Sequence, residues 1–318
     1  MDGLSPSLME QVHHALRRHA GTAIRLVRAV PVGGGSINQA WRLETTAGTF
    51  FLKCKEAAPA GFFSCEADGL RRLRQAGADV PEVVAVADVP DRAAVADRDE
   101  AEGPEAVDDG SPVAFLLLEW LPPGTWTPAR MRDLGRQLAA VHRVTAKAYG
   151  LPVDNFIGLL PQSNRPVADW CAFFRERRLG AQYEIALRTG CIAPGSPRAK
   201  GMAKLLARLD RWLPAQPPIS LLHGDLWYGN VLPAADGRNC FLDPAVYAGH
   251  REVDVAFSEY FGGFSRPFYE GYEEAYPLDP GYEERRPLYQ LYYILVHLNL
   301  FGEAYGPAVD AVLRRYAG

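Results

Sequence analysis

An acid, an amide and a large aromatic crowd one short stretch, "LLHGDLWYGN" at 221–230. Asp225 stands five residues before Asn230, with Trp227 and Tyr228 between them. A carboxylate can take the proton of an attacking hydroxyl, and an amide oxygen five positions on can hold a metal ion at the same phosphate, which is the spacing of a phosphotransferase loop. Thirteen residues after Asn230, Asp243 ends the strand-like run "CFL". A hairpin through "AADGRN" fits between and returns Asp243 beside Asn230, so that two oxygen ligands converge as Mg²⁺ carrying a nucleotide requires. His223 is expected to hold the loop by hydrogen bonds, and His142 in "LAAVHR" to support it.

Two upstream pieces suit the same chemistry. Gly33, Gly34 and Gly35 fall between two strand-like segments, where backbone N–H groups can approach a phosphate closely. Lys53, in the strand-like "FFLKCK", is followed thirteen residues later by Glu66 on a helical segment. A lysine aimed at phosphates needs such a carboxylate to hold its ammonium in place. Each piece alone is ordinary, since Gly-rich hairpin loops are common and a strand lysine is usually a solvated edge. Their joint occurrence in this order is what points to phosphotransfer.

The elements that must position these residues follow from periodicity. Residues 6–20 read as a helix, with Ser5 as its cap, Pro6 at its first position and Leu8, Val12 and Leu16 along one face. Strand-like runs at 23–32, 40–45 and 49–55 form an antiparallel meander with the glycines between the first two. A helix at 62–77, a short strand at 80–89 and a nearly all-apolar strand at 113–121 complete a small β-rich part. Between the last two strands, residues 88–110 carry nine acids against two arginines and read as a long solvated loop. After residue 121 helices dominate, at 127–146, 167–190 and 197–213 and through the last 70 residues, interrupted by strand, loop and hairpin at 221–243. The expected fold is α+β and bilobal: an N-terminal lobe over 1–120, with a five-stranded antiparallel sheet and one bracing helix, and a mainly helical C-terminal lobe over 121–318.

Composition removes several classes. The 318 residues are 48% hydrophobic and 23% charged with a net charge of −4, which supplies a core but no basic footprint for nucleic acid. The Arg-containing "FFRERRLGAQ" is the one hint of such a partner, and it reads more simply as a solvated helix face. Five scattered cysteines form neither CxxC nor CxxH pairs, which suits a reduced compartment rather than a disulfide framework or zinc site. No apolar leader is evident, and "LYYILVHLNLF" (291–301) is too short to span a bilayer and holds His297 and Asn299. A cytoplasmic protein is expected, with neither membrane nor nucleic acid as partner. Nothing in the pattern sets its oligomeric state.

The ordered constellation resembles the protein-kinase-like phosphotransferase fold that includes the aminoglycoside and choline kinases. It is more closely similar to the fructosamine kinase (ketosamine-3-kinase) family, through "GGGSINQAW" (33–41), "FLK" (51–53), "HGDLWYGN" (223–230), "DPAVYAGHREVD" (243–254), "EYFGGF" (259–264) and "LVHLNLFG" (295–302). The chain departs from that pattern at Tyr228, where the family often has a small residue, and in the acidic 88–110 segment. Some eukaryotic relatives carry a cysteine in the glycine loop where this chain has Ser36.

The resemblance implies ATP and Mg²⁺ as cofactors and a ketosamine, free or on a glycated protein, as acceptor at its 3-hydroxyl. The 3-phosphate is unstable and releases the sugar, so the consequence is deglycation. ATP then lies between the lobes. Gly33, Gly34, Gly35 and Ser36 cover its phosphates, Lys53 braced by Glu66 contacts them, and Glu119 and Leu121 offer backbone groups to adenine. Asn230 and Asp243 hold Mg²⁺, and Asp225 orients the acceptor hydroxyl. For Trp227 two roles stand level, stacking on a sugar face or packing in the core. His250, Arg251 and Asp254 suit helix-cap or ion-pair roles better than substrate contact. His297 and Asn299 are candidates to line the acceptor pocket, against a core role for the histidine. A kinase of the same fold acting on an aminoglycoside, choline or a sugar is the alternative, kept open by the acidic "EGYEEAYPLDPGYEE" (270–284). A nucleotide-binding module without transfer activity is disfavoured by intact Lys53, Asp225, Asn230 and Asp243.

Overall fold

The computed structural model describes residues 4–21, 23–33, 38–89 and 113–317. Most of the acidic 88–110 stretch, together with Gly34, Gly35 and Ser36, lies outside them. The chain divides into two compact units, Met1–Arg71 with Val80–Pro123, and Arg72–Asp79 with Gly124–Gly318.

The first unit is built on a five-stranded sheet of β1 (Leu26–Pro31), β2 (Gln39–Thr45), β3 (Gly48–Glu56), β4 (Val83–Ala87) and β5 (Val113–Glu119). The order is β1-β2-β3-β5-β4, with every neighbouring pair antiparallel. Helix α1 (Pro6–Ala20) begins where expected: the Ser5 hydroxyl accepts the Leu8 N–H at 3.2 Å, and Pro6 needs no donor at the first turn. Its face of Leu8, Val12 and Leu16 packs with Leu43, Phe50, Leu52, Cys54, Phe115 and Leu117. Strand side chains alternate, so Phe51 and Lys53 point to the other face, toward α2 (Phe62–Gln75). Asp88, read as part of the solvated loop, instead accepts the backbone N–H groups of Phe63 (2.9 Å) and Ser64 (3.1 Å). It acts as an N-cap for α2 from a distant strand end.

In the second unit, α3 (Pro128–His142) is capped by Thr127, whose hydroxyl accepts the Arg130 N–H at 3.2 Å. A helical run follows as α4 (Trp170–Phe173), a π-helical segment (Phe174–Gly180) and α5 (Ala181–Arg188), then α6 (Pro197–Leu206). The π segment corrects the reading of its arginines as a solvated face. Arg178 is fully buried, with Nη1 donating to Ser163 O (2.7 Å), Nη2 to Asn164 Oδ1 (2.8 Å) and the guanidinium 3.8 Å from the Tyr247 ring centroid. A buried cation held this way is part of the core, not of a nucleic-acid surface.

Two small ribbons carry the loop of interest. Strand β8 (Ile219–Leu222) pairs antiparallel with β11 (Tyr247–His250), and β9 (Val231–Pro233) with β10 (Asn239–Phe241). Two short strands, β6 (Asn155–Ile157) and β7 (Leu160–Gln162), form a separate hairpin. Helices α7 (Glu252–Tyr260), α8 (Arg266–Ala275), α9 (Tyr282–Phe301) and α10 (Gly306–Tyr316) complete the unit. Apolar side chains on nearly every side of α9, from Leu288 to Leu298, place it in the core. Among the described residues no helix is long and apolar enough to cross a membrane.

Candidate active site

The loop between β8 and β9 holds the central acid and amide together. Asn230 is buried, and its Nδ2 donates to the Asp225 backbone oxygen (2.9 Å) and to Asp225 Oδ2 (3.0 Å). The amide nitrogen is thereby committed, which leaves Oδ1 as the group Asn230 can offer a cation. Asp243 is exposed, in the turn after β10, and the Leu242 N–H donates to Asn230 O at 2.9 Å. An amide oxygen and a carboxylate on neighbouring, bonded segments form an all-oxygen donor set that fits Mg²⁺.

Behind the loop lies a buried polar network. Asp254, in the first turn of α7, is fully buried. Its Oδ2 accepts the His223 N–H at 2.6 Å and Oδ1 the Gly224 N–H at 2.9 Å. His142 Nε2 donates to Oδ2 at 3.1 Å, and the Tyr272 hydroxyl lies 2.8 Å from His142 Nδ1. His142 thus supports the loop through Asp254. His223 is expected to hold the loop and does so. Its Nε2 donates to Leu242 O (2.9 Å), and its Nδ1 accepts the Asp225 N–H (3.2 Å). That pairing assigns the proton to Nε2, and burial lowers the imidazole pKa, so the ring is neutral. Gly224 is obligatory: its φ is +81°, and a Cβ there would lie 2.0 Å from Ala245 O.

In the first unit, Lys53 is 7% exposed and its Nζ donates to Glu66 Oε1 at 2.8 Å. This is the bracing that the thirteen-residue spacing predicts. Glu119 closes β5, where its N–H donates to Glu82 O at 2.9 Å, and Leu121 is buried two residues on. Gly33 is exposed, and a Cβ added there would meet no atom of the described residues within 4 Å.

The remaining candidates separate. Trp227 is 40% exposed and meets Phe261 edge-on at 6.3 Å, so the core role fails and an open aromatic face remains. His250 is a correction as a substrate residue. It is 1% exposed with its Nδ1 2.7 Å from the Tyr289 hydroxyl, so burial takes it out of contact with a sugar. Arg251 is equally buried, stacked 3.8 Å over Tyr276 with Nη1 donating to Tyr276 O at 2.9 Å. Asn299 commits its amide nitrogen to Gln182, donating to O (2.9 Å) and Oε1 (2.8 Å), and so ties α9 to α5. His297 is half-buried among Phe261, Phe301 and Tyr305. Tyr228 packs edge-on against Phe264 and is accommodated by Gly263, where a Cβ would strike its ring at 2.5 Å.

Asp254, expected as a helix cap or ion pair, pairs with His142 and in addition holds the loop, while Asp88 has a role that the spacing arguments missed. For Asp254 a signal existed: an acid between Val253 and Val255 in an apolar helix start must find buried donors. For Asp88 the acidic run masked it.

Comparison with known proteins agrees with this geometry. The fructosamine kinase family model matches residues 8–317. An Enterococcus faecium protein named "Probable ketoamine kinase" is 38% identical, covering 91% of this chain and 95% of its own. A chloroplastic protein-ribulosamine 3-kinase of Arabidopsis thaliana is 33% identical over 93% of this chain and 84% of its own. The solved structure of a Haemophilus somnus protein assigned as a fructosamine-3-kinase superposes with a TM-score of 0.81 at 27% identity, covering 96% of this chain and 97% of that one. The aminoglycoside phosphotransferase APH(4)-Ia, at 18% identity and a TM-score of 0.60 over 96% and 99% of the two chains, shares the kinase-like α+β fold. The chain belongs to the fructosamine kinase family.

Proposed function

We propose that the chain transfers the γ-phosphoryl group of ATP, with Mg²⁺, to the 3-hydroxyl of ketosamines such as ribulosamine and fructosamine adducts of amines, and so leads to deglycation. Asp225 takes the proton of the 3-hydroxyl while its oxygen bonds to the γ-phosphorus. The bond from that phosphorus to the β,γ-bridging oxygen breaks, and ADP leaves with the electron pair. Residues 33–36 cover the phosphates and Lys53, fixed by Glu66, neutralises their charge. Glu119 and Leu121 present backbone groups to adenine. Asn230 and Asp243 would hold Mg²⁺, which when bound offsets charge on the phosphates. Trp227 lies two residues from the base, and its open face stacks on the sugar.

The observation that carries this reading is the commitment of the Asn230 amide nitrogen to Asp225, which sets base and cation ligand side by side. The aminoglycoside alternative loses part of its support, because Glu270, Glu274 and Glu283, three of the six acids of 270–284, are already paired with arginines. Glu270 pairs with Arg132 and Arg266, Glu274 with Arg132 and Arg136, and Glu283 with Arg286. The test is Mg²⁺-dependent ADP release on ribuloselysine, fructoselysine, kanamycin and choline, with Asp225→Asn as control. Turnover on a ketoamine that falls at least about 100-fold in the variant is expected, in the range for loss of a general base. Turnover confined to kanamycin or choline would sink the ketosamine reading.

A further inference from the structure

A stripe of rings leads away from the catalytic loop along α9. Tyr293, His297 and Phe301 recur at four-residue steps, so they lie on one helix face, each about 6 Å beyond the last. The inner end is fixed to the loop. The Tyr293 hydroxyl donates to Gly224 O at 2.8 Å, next to Asp225, and its ring stacks on Phe257 at 3.6 Å. Exposure grows outward, from 0% at Tyr293 to 50% at Phe301. Trp227 joins from the loop through Phe261, which lies 4.9 Å from His297, and Tyr305 closes the outer end at 5.0 Å from His297. Five aromatic side chains are strongly exposed among the described residues, and three of them, Trp227, Phe261 and Phe301, belong to this one chain of contacts. Single exposed rings are ordinary, but a connected set beside a reactive loop indicates a ligand.

His297 selects what that ligand is. Its Nδ1 donates to Tyr293 O at 2.8 Å, which leaves Nε2 as a lone-pair acceptor among ring faces. Burial also lowers its pKa, so the ring is neutral near pH 7. A neutral acceptor bordered by π-faces suits a cationic N–H donor and the methylenes attached to it.

We propose that Phe261, His297, Phe301 and Tyr305 seat the amine side of the acceptor: the secondary ammonium of the ketosamine and the alkyl arm that carries it. This rests on the ketosamine reading above. In a ketosamine the ammonium is two carbons from the atom bearing the reacting hydroxyl, so an acceptor held at Asp225 must send its amine arm outward from the loop. A lysyl arm of four methylenes spans roughly one helical turn, about 5.4 Å, which matches the step from His297 to Phe301.

The test compares two acceptors with the same ribulose, one on methylamine and one on the side-chain amine of Nα-acetyl-lysine, in the wild type and in Phe301→Ala. The wild type is expected to favour the lysine adduct about tenfold in kcat/KM, and Phe301→Ala to bring that ratio close to one. General damage to the fold lowers both values together and leaves the ratio, so a ratio unchanged in the variant, or near one already in the wild type, overturns the inference. Absence of wild-type turnover on both adducts overturns the ketosamine reading, and this inference with it.

Discussion

Asp254 tests whether the catalytic loop is held from behind. In Asp254→Asn the shape is kept, but one of two accepting oxygens becomes an NH₂ group. The better orientation keeps the oxygen toward the His223 N–H and His142 Nε2 and turns the NH₂ toward the Gly224 N–H, donor against donor. One charge-assisted hydrogen bond disappears, worth about 1.5–3 kcal/mol, and a buried N–H is left unsatisfied at about 1–3 kcal/mol. A loss near 3–5 kcal/mol in a protein of this size lowers Tm by roughly 4–8 °C. The repelled Gly224 carries Asp225 with it, and a displacement of about 1 Å costs on the order of 100-fold in rate. Calorimetry and steady-state kinetics on one preparation measure both quantities. The expected result is a folded variant with a lowered Tm and a kcat reduced about 100-fold or more. Wild-type kcat within threefold in a variant whose Tm falls as expected would refute the positioning argument, since the network would then serve stability alone.

Two further outcomes follow from the same geometry. Asp88→Ala removes the acceptor for the Phe63 and Ser64 N–H groups at the start of α2, at a cost of about 1 kcal/mol as for a lost cap. Because Glu66 lies on that helix and fixes Lys53, KM for ATP should rise severalfold, and an unchanged KM would show that α2 is held by packing alone. The second outcome concerns pH. His223 and His250 are buried, and desolvation holds both pKa values below the ordinary 6.5. Below pH 6.5 the unfolded chain takes up protons that the folded chain does not, so stability is complete above that pH and falls as pH drops through it. The slope is at most about 1.4 kcal/mol per pH unit for each histidine. Urea midpoints at pH 7.5 and 5.5 should therefore differ, and equal midpoints would contradict the neutral, buried assignment.

What could be read in the sequence was the local geometry carried by short segments. Asp225 and Asn230 share one loop, so their spacing alone restricts their geometry, and Lys53 with Glu66 needs only a strand followed by a helix. The support for these groups was not legible, because it is built from distant partners. Asp254 meets His142 across 112 residues of chain, and Asp88 meets Phe63 across 25. No local pattern encodes such pairs. Arg178 shows the same limit from the other side: an arginine-rich helix face looks solvated until the aromatic ring of Tyr247, from another segment, covers it.

The arrangement of the two proposed oxygen ligands, Asn230 and Asp243, explains why so much of the loop's hydrogen bonding is turned on itself. Mg²⁺ tolerates little departure from octahedral geometry, so flexible side chains on independent backbones would serve it poorly. Here the backbones of the two segments are laced together. Leu242 N–H donates to Asn230 O, His223 Nε2 to Leu242 O, and Ala245 N–H to His223 O, each at 2.9 Å. Asp243 sits inside this lacing with φ at +53°, a left-handed conformation that costs a non-glycine residue about 1–2 kcal/mol, though aspartate tolerates it better than most. Such strain persists only where neighbouring bonds leave no alternative. Phosphoryl transfer asks the protein mainly for position and charge, and the strain at Asp243 is the local cost of holding a carboxylate at one fixed place beside Asn230.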